Sequence, residues 1–288
     1  MDKKLLSLYG LRWNPFSSDV PVEALFLRPK VKDFCWRVEQ QVQGEGGFAA
    51  ISGDPGTGKS IALRLLADRL SDLEDVMVGV VTRPQSHMAD FYRELGDLFG
   101  VPLNPHNRFA GTKVLREKWL SHIATTLCRP VLLVDEAQEM KPVVLSELRL
   151  LSSADLDARA LLTVVIAGDQ RLLEKLRTPE LLPIGSRLRI RTTMEVASRE
   201  ELLSCMKYVL EKAGNPNLMS VPLCETLADH AIGNHRVLMT MASELLAVGA
   251  QRELKQLDEK LYFEVFAPPE RSAPPAKAKA QAARMQRR

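Results

Sequence analysis

No stretch of this chain approaches the roughly 18 uninterrupted apolar residues of a membrane-crossing helix, which argues against an integral membrane protein. The N-terminus, MDKKLLSLYGLRWNPF, starts with charge but lacks both a long apolar segment and a small-residue cleavage site, so a secretory signal is not expected. Cysteine is sparse. Cys35, Cys128, Cys205 and Cys224 lie far apart and form no metal-type pair. They read as reduced, mostly buried thiols of a cytoplasmic protein, not as a disulfide framework or a zinc site. No internal repeat is visible. Acidic residues are missing altogether from residues 271–288, which hold Arg271, Lys277, Lys279, Arg284, Arg287 and Arg288.

That last absence hides inside an ordinary average. The chain has 45% hydrophobic and 26% charged residues and a formal charge of +3, the balance of a soluble globular protein. Removing the six tail cations from its 39 basic residues leaves 33 against 36 acidic ones, so residues 1–270 are slightly acidic. The tail is also rich in Pro and Ala and is expected to be disordered in isolation. Such a tail either contacts nucleic acid or only solubilises. At 288 residues the chain is long enough for one large core or two unequal ones.

The most informative segment is Gly53 to Ser60, GDPGTGKS. It fits G-x-x-x-x-G-K-[S/T], follows the apolar run Phe48–Ile51 and precedes the helical pattern that opens at Ile61. Strand, glycine loop and helix together make a phosphate-binding loop, where a glycine-rich turn alone would not. Glycines let the amides of Gly53, Asp54, Pro55–Gly56, Thr57 and Gly58 curl around phosphate oxygens, and the start of the helix adds positive potential. Lys59 is placed to reach the β- and γ-phosphates and Ser60 to hold Mg2+. ATP and Mg2+ are the expected cofactors.

Residues Val131–Val134 form a buried-strand pattern ending in Asp135 and Glu136. The carboxyl end of a parallel strand is where open α/β folds bind ligands. Asp135 would bind Mg2+ directly or through water, and Glu136 would act as general base on the attacking water. Further strand patterns at Val76–Val81 and Leu161–Ala167, with helical patterns around Met88–Leu98, Lys113–Leu127 and Val143–Leu151, supply the rest of a doubly wound α/β sheet. After about residue 195 the pattern turns helical. Ser198-Arg199-Glu200-Glu201 looks like a cap, Gly214-Asn215-Pro216 ends that helix, and Gly233-Asn234 separates two more.

These motifs together resemble the AAA+ ATPases, and within them the ExeA-type group, with the transposition ATPases of the TniB and TnsC kind sharing the layout. The similarity spans roughly residues 5–250. It implies a doubly wound, parallel, five-stranded sheet with a small C-terminal helical domain. The expected division is an N-terminal adenine-side segment (1–30), the nucleotide-binding α/β domain (31–195), a helical lid (196–266) and a basic disordered tail (267–288). Tyr9-Gly10-Leu11 with Asn14-Pro15-Phe16 resembles the group's N-terminal motif, where Pro15 and Phe16 would pack beside the adenine; hydrophobic anchoring of the segment is the other reading. The resemblance makes Asp169 or Gln170 the first sensor, with Gln170 preferred because an acidic residue repels phosphate. It makes Arg187, or else Arg189, an arginine finger reaching a neighbouring subunit's γ-phosphate. It makes Arg236 of Gly233-Asn234-His235-Arg236 the second sensor, although His235 replaces the usual proline.

By the same resemblance, hydrolysis depends on assembly into a homo-oligomer, a ring or a helical filament. Secretion members of the group carry a membrane span after the ATPase portion. This sequence shows none up to residue 288, so the expectation is a cytoplasmic regulator of DNA transposition, and hence of recombination, that does not engage a membrane. It would assemble on duplex DNA with ATP, mark a target and recruit a transposase, with or without a target-selection adaptor protein. The alternatives are a cytosolic ATPase acting through protein partners in secretion or envelope assembly, and a signalling or defence ATPase. DNA contacts, if they follow the second strand, would include Arg108, Lys113, Arg116 and Lys118; a solvated helix face is the competing explanation.

Overall fold

Strands buried along all or nearly all of their length need cover on both faces, and three segments here are of that kind. In the computed structural model, which describes residues 3–103, 108–154 and 159–266, they are β1 (Phe48–Gly53), β3 (Arg129–Val134) and β4 (Thr163–Gly168). β2 (Val76–Val81) and β5 (Leu188–Met194) are only partly buried. The sheet order, β2-β3-β4-β1-β5, explains the difference: the two half-exposed strands are its edges, and every pairing is parallel. The expected five-stranded parallel sheet is present. A two-residue antiparallel ladder, Ser153–Ala154 with Arg159–Ala160, lies apart from it. The third internal strand starts at Thr163, not at Leu161. Leu161 and Leu162 are buried ahead of it, and the Leu161 amide bonds back to Ser152 O at 2.7 Å.

Side chains alternate between two cores, as a period of two requires. Ala49, Ile51, Val131, Leu133, Val165 and Ala167 pack under α2 (Pro29–Gln43) and α3 (Lys59–Ser71). Phe48, Ala50, Leu132, Val134, Val164 and Ile166 face the opposite layer. That layer comprises α4 (Met88–Phe99), α5 (Arg108–Thr126), α6 (Pro142–Ser152) and two shorter helices, α7 (Gln170–Lys175) and α8 (Leu182–Gly185). Helices on both faces make the sheet doubly wound.

The C-terminal unit is helical: α9 (Arg199–Ala213), α10 (Val221–Ala231), α11 (His235–Gln251) and α12 (Glu259–Phe266). The Ser198 hydroxyl accepts from Glu201 N while the Glu201 carboxylate accepts from Ser198 N, a reciprocal cap. Tyr9, which ends α1 (Lys3–Tyr9), Leu11 and Phe16 are buried in this unit's core. The Arg12 amide donates to Ala213 O at 2.8 Å, and Asn215 Nδ2 donates to Tyr9 O at 2.9 Å. Arg28, just before α2, is buried and crosses between the units. It donates to both Glu201 carboxylate oxygens, at 3.2 and 3.0 Å, and to Glu195 O at 2.7 Å.

All four cysteines are free. Burial pushes the Cys35 and Cys205 thiols up to about 12 and Cys224 up to about 11, so they stay protonated at neutral pH, as inert buried thiols do. The basic tail, residues 267–288, and the side chain of Arg108 lie outside the described residues.

Candidate nucleotide site

The phosphate loop leaves the carboxyl end of β1, next to the end of β4 and one strand away from the end of β3. Strands about 4.8 Å apart put the ends of β1 and β3 roughly 10 Å from each other. That gap suits a metal–phosphate group held between the loop and a carboxylate. It is also a switch point: the chain leaves β1 for β2 on one side and leaves β4 for β5 on the other.

Three glycines shape the loop. Gly53, Gly56 and Gly58 have φ of 157°, 84° and 101°, which other residues rarely hold. Thr57 Oγ1 donates to Asp54 O at 2.8 Å. Lys59 opens α3, is buried, and donates its ammonium to Gly53 O at 2.8 Å and Asp54 O at 3.1 Å. The lysine is therefore held at the loop itself. Ser60 and Ile61 follow in the first turn of α3 and are exposed. This is the cradle that phosphate requires: curled backbone, a helix start and a fixed cation.

At the end of β3, Asp135 accepts from Glu136 N at 2.9 Å. Glu136 is in the left-handed region, φ 49° and ψ 40°, and starts the turn Ala137–Glu139. That turn presents the exposed Glu136 beside the site and returns the buried Gln138 toward β4. Gln138 Nε2 donates to Glu136 Oε2, while its Oε1 accepts from Asp169 N at 3.3 Å. Gln138 thus joins the candidate base to the end of the neighbouring strand. Sequence reasoning misses it, because a glutamine two residues after an acidic pair gives no local signal of burial. Among the described residues no group of three or more His, Cys, Asp or Glu could hold a metal alone. Mg2+ characteristically completes its shell with phosphate oxygens and water, so Ser60 and Asp135 fit as its protein ligands.

Of the two first-sensor candidates, Asp169 caps α7 and Gln170 is that helix's exposed first residue. Burial raises the Asp169 carboxyl, but hydrogen bonds from the Arg171 side chain and backbone, with the charges of Arg171 and Lys59, bring it below the usual carboxylate range. Asp169 is therefore committed to Arg171, at 2.8 to 2.9 Å, whereas the Gln170 amide is exposed and uncommitted among the described residues. Pro15 and Phe16 are buried, Phe16 within the helical unit's core, a placement that suits an anchor of the N-terminal segment. Arg236 is exposed on the first turn of α11.

Arg187 and Arg189 sit elsewhere. They flank the start of β5, where Leu188 pairs with Phe48, whereas the phosphate loop begins where Met194 pairs with Gly53. The length of β5, roughly 20 Å, separates them from their own chain's loop. Arg187 donates to Pro183 O at 2.6 Å, and Arg189 pairs with Glu45. Among the DNA-contact candidates, Lys118 donates to Phe99 O and Gly100 O at 2.7 and 3.1 Å, closing the end of α4. Arg116 donates to Leu150 O at 2.8 Å, and Lys113 lies 3.8 Å from Glu117. Each of the three cations thus has a partner within its own chain.

Comparison with known proteins agrees with the geometry. The profile of the AAA domain family matches residues 40–176. General secretion pathway protein A of Aeromonas hydrophila is 29% identical over 209 residues, covering 72% of this chain and 37% of that protein, so the chain spans little more than a third of that relative. Among solved structures, Cdc6p from Pyrobaculum aerophilum has a TM-score of 0.68 at 15% identity, covering 84% of this chain and 67% of that one. The ADP form of the Aeropyrum pernix ORC2 protein has a TM-score of 0.71 at 13% identity, covering 87% and 70%. Drosophila ORC bound to DNA has a TM-score of 0.67 at 18% identity, covering 98% and 68%. The fold is that of the AAA+ ATPases, and the AAA domain matched over residues 40–176 is an ATPase module that works with ATP and Mg2+. Among the described residues no helix is long and apolar enough to cross a membrane.

Proposed function

We propose that this chain is an ATP-dependent, DNA-binding regulator of transposition. Its copies assemble on duplex DNA with ATP, as a ring or helical filament, mark a target and recruit a transposase, with or without a target-selection adaptor. The proposal places it in the cytoplasm.

The observation that carries the assembly part is the position of Arg187 and Arg189 across the sheet from their own phosphate loop. At that separation neither arginine serves its own nucleotide. A finger there works only on a neighbour's γ-phosphate, where it neutralises charge developing in the transition state. Bound ATP would then bridge two copies, and hydrolysis would weaken the bridge. Arg187→Ala is expected to leave ATP binding intact and remove assembly-stimulated hydrolysis. Mixing it with Lys59→Ala subunits should partly restore turnover, because one partner supplies the loop and the other the finger. No rescue at any ratio, with both variants folded and co-assembling, would remove the trans role.

The DNA part rests on the resemblance to transposition ATPases and on the charge of the chain. Residues 1–270 are slightly acidic, so a DNA surface on them is a local patch, and residues 271–288 add six cations. We expect ATP-dependent binding to random duplex DNA that weakens with salt. Deleting 271–288 should lower the slope of log K against log salt, by up to about 0.9 for each phosphate the tail neutralises, and leave the ATP requirement in place. A salt series with and without the tail, repeated with ADP, measures both. A full-length protein with no DNA affinity in ATP at low salt would transfer the reading to protein partners in secretion or envelope assembly. The similarity to General secretion pathway protein A favours that second reading.

A further inference from the structure

We infer that Asn234 is a positioning residue that orients the phosphate loop and couples it to Arg236. The inference rests on the loop being the ATP site.

Asn234 serves two elements at once. Its Oδ1 accepts from the amides of Arg236 and Val237, at 2.9 and 3.2 Å, and so caps α11. Its Nδ2 donates to Pro55 O in the phosphate loop at 3.1 Å. The fit is close: a Cβ on Gly56 would lie 2.0 Å from Asn234 Oδ1. Only glycine at 56 admits the side chain. The turn that carries Asn234 is held from behind as well. Gly233, at φ 75°, accepts through its carbonyl from Ala197 N at 2.9 Å, and a Cβ there would meet Ala197 O at 2.7 Å. Ile232 just before it is exposed and left-handed at φ 48°, a conformation β-branched residues rarely hold. The turn is thus wedged between the exit of β5 and the phosphate loop.

Peptide geometry gives this contact a chemical consequence. In a planar trans peptide the C=O and the following N–H point in opposite directions, and the chain has no cis bond among its described residues. A Pro55 carbonyl fixed toward Asn234 aims the Gly56 N–H to the other side of the loop, as a donor for phosphate oxygens. Pro55 contributes no amide of its own, so this orientation decides what that part of the loop offers. The same side chain starts the helix that carries Arg236. Loop donor and lid cation are set by one residue, 179 positions along the chain from its loop partner.

Substitution separates the two roles. Serine at 234 retains an acceptor for the cap but is too short to keep the bond to Pro55; alanine loses both. We expect Asn234→Ser to melt close to the wild type yet to lose about ten-fold in kcat/KM for ATP, the effect of taking one loop hydrogen bond away from the transition state. Asn234→Ala should lose as much activity and melt lower. Arg236→Ala should cost clearly less in the Asn234→Ser background than in the wild type, since the helix carrying the arginine is then no longer tied to the loop it serves. Wild-type turnover in Asn234→Ser, or an Arg236→Ala loss unchanged by it, would reduce Asn234 to a helix cap and overturn the inference. A wild-type protein that binds no ATP would overturn the site reading beneath it as well.

Discussion

Lys59→Ala is expected to weaken ATP binding by about 100-fold or more, the order found when one partner of a buried charge pair is removed. Lys59 is buried, with its ammonium fixed by Gly53 O and Asp54 O. It cannot be replaced by a flexible neighbour, because no other lysine or arginine lies within the loop. The substitution also leaves the two carbonyls without that donor, so the protein without nucleotide should melt somewhat lower. The decisive measurement is a difference: ATP should raise the melting temperature of the wild type and leave the variant unmoved. A variant with wild-type ATP affinity would count against the site.

Glu136→Gln should do the reverse. ATP binding is kept, because the loop and Asp135 are untouched, while turnover falls by about a hundred- to ten-thousand-fold with the loss of the base. The local geometry favours a clean outcome. Glutamine retains an oxygen in the place where Glu136 Oε2 accepts from Gln138 Nε2. Trapped ATP should then prolong whatever assembly ATP supports. Single-turnover hydrolysis with radiolabelled ATP measures the effect, and hydrolysis at the wild-type rate would remove Glu136 from the role.

What was legible in the sequence followed the range of the interactions. The phosphate loop, the strand before it and the helix after it depend on residues within a few positions of one another, and GDPGTGKS displays all three. The cap at Ser198 and Glu201 and the helix end at Gly214 are equally local and stand as expected. The helix expected over 113–127 runs from Arg108 to Thr126, because Gly111 in its first turn concealed the start. What escaped was built between distant segments. Arg28 meets Glu201, Gln138 meets Asp169 and Asn234 meets Pro55 only after the chain has folded. Arg28 and Gln138 look like ordinary polar residues in their own neighbourhoods, Asn234 reads only as part of its own turn, and the partners of all three cannot be inferred from periodicity. The long α2 is a different case. Val31, Phe34, Cys35, Val38 and Val42 recur at helical spacing and are buried, so its signal is local, yet no strand–loop–helix motif draws the eye to it.

The central place of β1 has a consequence for the order of events at the ribosome. Its two neighbours in the sheet are β4 and β5, which end at Gly168 and Met194, whereas β1 itself ends at Gly53. A growing chain therefore makes its phosphate loop early and has nowhere to seat it until much later. β2 and β3 can pair first, but neither pairs with β1. Until β4 emerges, β1 is an apolar strand with both edges open, the kind of segment that pairs with the wrong partner. The Pro55 contact waits longer still, for Asn234. Nascent chains halted before β4 should not be retained on immobilised ATP, and the nucleotide can act on folding only once most of the chain is made.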